Sequence, residues 1–317
     1  MHLLEHHLSR ALNTDGAPGP SRRATARACP VNADPEAIAM RSLSAVPALG
    51  AGLGFRTELH DQIVAHHDDI DWLELITEHF LLGGQRDDRT LGELRELFPL
   101  VPHGIEMSIG SPGEVDPDYL DALARLVKAI DAPYFSDHLC FTRAGGVSLG
   151  SLTPLPRSTA LARELAGKAQ RVQEAVGVPF ILENITYHVD LQTGMSEAEF
   201  IAEFFEHCDC GLLLDVTNLH TNAVNHGFDP QHFLDLIPME RVVQVHLAGG
   251  IEEPGVLLDS HSTAVPEPAW RLFDDVLRRV PLKAGMIERD QDFPEDFGEL
   301  LTEVGRVRAA MRAPVRA

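Results

Sequence analysis

From Leu49 onward the chain repeats one alternation eight times, a short apolar and often β-branched run followed by a longer stretch with helical spacing. The runs are LGAGLGF (49–55), WLELIT (72–77), PHGIEM (102–107), PYFSDH (133–138), PFILEN (179–184), GLLLDV (211–216), VVQVHL (242–247) and KAGMIE (283–288). Short apolar runs bounded by turn formers read as buried strands. Between them, residues 119–130 place Leu120, Leu123, Leu126, Val127 and Ile130 at i, i+3 and i+4, and 154–176, 197–207 and 268–280 read as helices in the same way. Nearly all-apolar strands joined by helical crossovers belong in a parallel sheet covered on both faces. Eight such units in one chain predict an α/β fold of the closed (β/α)8 type, a TIM barrel. A doubly wound open sheet is the alternative, but no G-x-G-x-x-G or phosphate-cradling loop follows an early run.

The ends of these runs carry chemistry. Glu74 and Glu78 lie in and just beyond the second, His103 opens the third, Asp137 and His138 close the fourth, and Glu183 with Asn184 close the fifth. Asp215 and Asn218 follow the sixth, His246 stands in the seventh, and Glu288 closes the eighth. Asp259 and His261, one residue apart in GVLLDSHST, lie in the long loop after the seventh run and point to one side if that segment is extended. Alone, such a pair is ordinary loop punctuation. A barrel, however, assembles its active site from the C-terminal ends of its strands, and carboxylates and imidazoles buried there together are costly without a positive partner. Divalent metal ions supply that partner. Histidine nitrogen mixed with carboxylate oxygen suits zinc, iron or manganese rather than calcium or a thiolate site, and this many donors point to at least two ions. Neighbours on a strand face opposite ways, so one of Asp137 and His138 reaches the centre, and Asp137 is the expectation. His66, His67, His207 and His232 fall in or beside helical stretches and read as solvated faces. IGSPGE (109–114) and LGGQ (82–85) read as turns after the third and second runs.

Composition narrows the partners. Lys plus Arg number 26 against 48 Asp plus Glu, a net charge of −22, so the chain repels phosphate backbones and nucleic acid is not an expected partner. A basic peptide fits. Cys29, Cys140, Cys208 and Cys210 lack paired C-x-x-C spacing, which suits a reducing compartment. No apolar run approaches the ~20 residues that span a bilayer, and the N-terminus lacks a continuous signal-type apolar core. The expectation is a cytoplasmic protein without a membrane partner, in which residues 1–47, rich in Ala, Arg, Pro, Ser and Gly, form a flexible extension and residues 48–312 the catalytic barrel.

The strings GLGFRTELH, ELITEHF, YFSDHLCFT, ILENITY, LLLDVTNLHTNAVNHGFDP, VVQVHLAGG, LLDSHSTAVPEPAW and MIERDQDFP, in this order over about residues 49–295, resemble the multinuclear non-haem iron-dependent oxidases. That family was formerly grouped as domain-of-unknown-function family 692, and it includes the methanobactin-pathway oxidase and the enzyme that excises a cysteine β-carbon. The resemblance implies a xylose-isomerase-like barrel holding two or three irons in mixed Fe(II)/Fe(III) valence. It implies that dioxygen is used to modify a residue, Cys or Asn/Asp, of a ribosomally synthesised precursor peptide, with a partner protein capturing the leader peptide. Carried onto matching positions it implies the metal ligands His60, His103, Asp137, Glu183, Asp215, Asn218, His246, Asp259, His261 and Glu288, with Asp137, Glu183 and His246 catalytic. His60 enters only through the resemblance. Three positions depart from the common family pattern: Asp137 stands where many relatives have Glu, Gly250 where a histidine is frequent, and Arg289 where an aromatic residue is frequent. A zinc- or manganese-dependent hydrolase, endonuclease or sugar isomerase of the same barrel group, or a metal-binding scaffold, is the alternative.

Overall fold

The structure, a computed structural model, describes residues 42–81 and 85–313. The expected extension over residues 1–47 therefore lies almost wholly outside the described residues, as do positions 82–84 of LGGQ. Its last part is described and is packed: a 3-10 turn at Leu43–Ala45 sets Leu43 and the buried Val46 against the base of the barrel.

Eight parallel strands close on themselves in chain order: β1 (Gly50–Gly54), β2 (Trp72–Ile76), β3 (Leu100–Gly104), β4 (Phe135–His138), β5 (Phe180–Glu183), β6 (Gly211–Asp215), β7 (Val242–Ala248) and β8 (Ala284–Glu288), with β1 paired to both β2 and β8. Strand β3 begins two residues earlier than its sequence suggests, because Leu100 and Val101 extend the ladder and Pro102 sits inside it opposite Leu75. His103 consequently lies next to the C-terminal end of its strand, not at the start. Helices cover the outside. Their ends carry local stop and start signals: Ser158 caps Thr159–Val176 and Gly177 ends it at φ 87°, while Ser196 and Glu199 form a reciprocal capping box on Glu197–Phe205. Among the described residues no helix is long and apolar enough to cross a membrane.

Period two sorts the inward side chains into layers. Trp72, Val101, Tyr134, Ile181, Leu213, Ala284 and Met286 form an apolar floor, which Val243 joins where the register between β6 and β7 shifts by one residue, so that Gln244 and His246 carry the inward face beyond it. Gly52 belongs to it by omission, since a Cβ there would lie 2.4 Å from the Trp72 ring. Two residues further along the same strands, the inward positions are Glu74, His103, Ser136, Glu183, Asp215 and Glu288. Two antiparallel ribbons flank this polar end: Phe141–Ala144 with Val147–Thr153 after β4, and Ile251–Glu253 with Val256–Leu258 after β7.

Candidate metal centre

The sheet register decides which residues meet. His103 pairs with Ser136 and His138 pairs with Glu183, so these side chains share the inward face, while Asp137 lies level with Gly104 and Leu182 on the outward one. His103 Nε2 and His138 Nε2 each lie 3.3 Å from Glu183 Oε2. Asp137 instead accepts hydrogen bonds from Met107 N at 3.3 Å and His138 N at 2.7 Å. Burial, reinforced by nearby Glu78, holds its carboxyl well above the usual range. The histidine, not the aspartate favoured from sequence, is what β4 delivers to the centre.

Asp215 ends β6 and starts the helix Val216–His226. Its Oδ1 accepts from Thr217 N and Asn218 N, both at 2.7 Å, and its buried Oδ2 has no hydrogen-bond partner. On β7, His246 Nε2 is 3.0 Å from Glu74 Oε2, which also accepts from Gln244 Nε2 at 2.6 Å, and Gln244 Oε1 accepts from Tyr134 Oη at 2.8 Å. His246 Nε2 also lies 2.7 Å from Gln244 Nε2, and the ring turns Nδ1 toward Glu183 Oε1 and Glu288 Oε2, each 3.3 Å away. His261 sits at φ 49° in the loop after β7; its Nδ1 is 3.0 Å from Asp290 Oδ2 and its Nε2 is 2.7 Å from Asp259 Oδ1.

These donors form three linked groups: His103, His138 and Glu183; Glu183, Asp215 and His246; Asp215, His261 and Glu288. In each the donor atoms lie within 4.8 Å of one another. Glu183 is common to the first two and Asp215 to the last two. Glu183 Oε2, Asp215 Oδ2, His246 Nδ1, Asp259 Oδ1 and His261 Nε2 are all buried and close to neighbours, yet none is aligned for a hydrogen bond. Buried polar atoms almost always have partners, so five orphans facing one space fit a site for cations. Nitrogen and carboxylate oxygen together match first-row divalent metals.

The protonation pattern agrees. Burial holds His103 well below its ordinary value, with His138 and His246 adding to the effect. Burial would also lower His246 and His261, but Glu74 and Glu183 around the first and Asp259 and Glu288 around the second raise both well above it. Burial opposes ionisation of Glu288, but His261 and His246 outweigh it and hold the carboxyl well below its ordinary range. Asp215 is pushed up by burial, then by Glu183 and Asp259. Protons on two imidazoles thus offset part of the carboxylate charge, and a bound metal ion displaces such protons.

Of the residues singled out in the sequence, His103, Glu183, Asp215, His246, Asp259, His261 and Glu288 converge. His60 does not join the groups: it begins a short helix and pairs with Asp61 and Glu93. Asn218 is adjacent, but its side chain accepts from Thr186 Oγ1 and donates to Asn184 O at 3.1 Å. Glu74 holds His246 in place without joining a group, and Gln244, Arg56 and Asp290 are further buried polar residues here that strand-end position does not mark. The missing signal was period two, because Gln244 precedes His246 by two residues and Asp290 follows Glu288 by two. At Gly250 a Cβ would lie 2.3 Å from Leu258 O, so the backbone here leaves no room for a side chain.

Residues 50–312 match the family described as RiPP precursor modification enzyme MbnB/TglH/ChrH, ribosomally synthesised peptides being the substrates that this description names. The chain belongs to this family. Its relatives include a UPF0276 protein of Anaeromyxobacter sp. (strain Fw109-5), 37% identical over 270 residues that cover 85% of this chain and 95% of the relative. A UPF0276 protein of Caulobacter vibrioides (strain NA1000 / CB15N) is 35% identical over 269 residues, covering 84% and 96%. Among solved structures, a xylose isomerase domain protein from Planctomyces limnophilus superposes with a TM-score of 0.52 at 12% identity, covering 84% of this chain and 97% of that one. Endonuclease IV from Thermus thermophilus superposes at 0.50 and 19% identity, covering 82% and 98%. At those identities the likeness is one of fold, the xylose-isomerase-like TIM barrel.

Proposed function

We propose that this family member is a multinuclear non-haem iron enzyme that uses dioxygen to oxidise a residue, Cys or Asn/Asp, of a ribosomally made precursor peptide. The observation that carries the reading is the chain of three donor groups joined by two shared carboxylates, Glu183 and Asp215, an arrangement suited to two or three ions held close together. His103, His138 and Glu183 would hold the first, Glu183, Asp215 and His246 the second, and Asp215, Asp259, His261 and Glu288 the third. Iron there would supply the one-electron and dioxygen chemistry that no side chain offers. The chain's own residues do the rest. Glu74 orients His246, the Asp215 cap fixes the bridging carboxylate against a helix N-terminus, and the two ribbons border the entrance for a peptide. We also propose a separate partner protein that holds the leader part of the peptide.

The test is to search beside the gene for a short precursor-peptide gene and to measure dioxygen uptake by iron-loaded protein given that peptide; absence of any such gene counts against the reading. Peptide-dependent consumption, with a mass change on the peptide that is lost when Glu183 is replaced, supports the reading. Uptake that ignores the peptide, or the same product from zinc- or manganese-loaded protein, refutes it.

A further inference from the structure

Arg56 and Asp290 belong to none of the three groups, yet their side chains are only 9% and 7% exposed. Arg56 comes from the turn after β1 and Asp290 from the residues after β8, brought together because these two strands pair. Asp290 divides its oxygens. Oδ1 accepts from Arg56 Nε at 2.8 Å and also from Nη2, while Oδ2 is 3.0 Å from His261 Nδ1. Arg56 Nη2 reaches Glu288 Oε1 at 3.1 Å, and Nη1 donates to Phe55 O at 2.9 Å, so every guanidinium nitrogen is committed.

The neighbours of Asp290 grip the same loop. Arg289 Nη1 donates to Ser262 O at 3.1 Å, Asp290 N donates to His261 O at 2.9 Å, and Gln291 Nε2 donates to Ser260 O at 2.9 Å. Three consecutive residues thus clasp Ser260, His261 and Ser262, the segment that carries the Asp-x-His donors on an otherwise irregular stretch. With Asp290 engaging His261 Nδ1, the ring's other nitrogen, Nε2, is turned to the donor group and lies unpartnered 2.7 Å from Asp259 Oδ1.

We infer that the Arg56–Asp290 pair is the positioning device for the third donor group: Asp290 fixes the tautomer and direction of His261, and Arg56 holds Asp290 and Glu288 in register with it. Neither residue is a member of a donor group. An aspartate is required because both oxygens are used, one for each cation-bearing side; an asparagine has one oxygen and satisfies Arg56 or His261 but not both. The fork of an arginine is required because it spans two carboxylates, which a lysine ammonium does not do with the same geometry.

This inference rests on the metal-centre reading, and the wild-type protein in the same assay separates the two. The experiment loads wild type, Asp290→Asn and Arg56→Lys with Fe(II) under anaerobic conditions, then measures iron per folded chain during titration with a competing chelator, using circular dichroism to verify folding. The expected result is that wild type releases its ions in resolvable steps. Asp290→Asn is expected to release one of them about 10–100-fold more readily and keep the others, with Arg56→Lys weakening that same ion to a lesser degree. A residue with only a structural role would weaken all ions alike. If Asp290→Asn does not fold, Arg56→Lys carries the test by the same criterion. Wild type holding its ions while folded variants hold the same number as tightly, or lose all together, overturns the inference. Wild type failing to hold more than one ion overturns the metal-centre reading itself.

Discussion

Removing the ions and then a shared ligand gives a stepwise loss of stability whose size follows from the sharing pattern. An ion that binds only the folded chain, present at about 100-fold its dissociation constant, stabilises by about 2.7 kcal/mol. Three donor groups therefore sum to about 8 kcal/mol. For a domain of this size class about 2–4 °C of Tm accompanies each kcal/mol, so a chelator is expected to lower the wild-type Tm by about 16–32 °C. Glu183 serves two of the groups and Glu288 one. Glu183→Gln leaves one increment, and its chelator-induced shift should shrink to about 5–11 °C; Glu288→Gln leaves two and should retain about 11–22 °C. Differential scanning calorimetry of all three proteins, iron-loaded and chelated at neutral pH, reads this directly. Equal chelator-induced shifts in the two variants, or a smaller shift for Glu288→Gln than for Glu183→Gln, would refute the bridging role assigned to Glu183.

His138→Ala should cost one ion per chain by metal analysis while Asp137→Asn keeps the full complement; the reverse would return Asp137 to the centre. Gly52→Ala pushes a methyl into the Trp72 ring and should destabilise by about 1–3 kcal/mol in urea unfolding, whereas a neutral result would mean the barrel floor is looser than its register implies. Burial pushes Glu197 up to about 7 from an ordinary 4.5, with Asp190 adding and Arg157 opposing. The folded state therefore binds this proton more tightly than the unfolded chain, so its contribution is most favourable below about 4.5 and declines as pH rises toward 7. Glu197→Gln removes that decline and should exceed wild type in stability above pH 7 by about 1–3 kcal/mol; parallel stability curves against pH for the two proteins would contradict it.

The barrel was legible in the sequence because eight nearly all-apolar runs cannot be satisfied by one covered face, and the helical stretches between them leave a closed parallel sheet as the compact solution. Strand ends were less legible. PHGIEM placed Pro102 at a boundary where the ladder tolerates it inside, and the shift of two residues moved His103 from the start of its strand to near its end. The donor list was largely readable from strand-end position, but the choice between Asp137 and His138 depends on register, which pairs His138 with Glu183 and which adjacency along the chain does not encode. The residues that hold the donors were hidden for a related reason. Arg56 and Asp290 are 234 positions apart and meet only because the barrel closes between β1 and β8.

The measurement closest to the central claim is metal analysis combined with Mössbauer spectroscopy of protein purified anaerobically from iron-supplemented cells. The expected result is two or more irons per chain with an exchange-coupled, mixed-valent signal, as carboxylates shared between neighbouring groups would produce. Stoichiometric zinc or manganese without iron, or iron that behaves as isolated single ions, would contradict it.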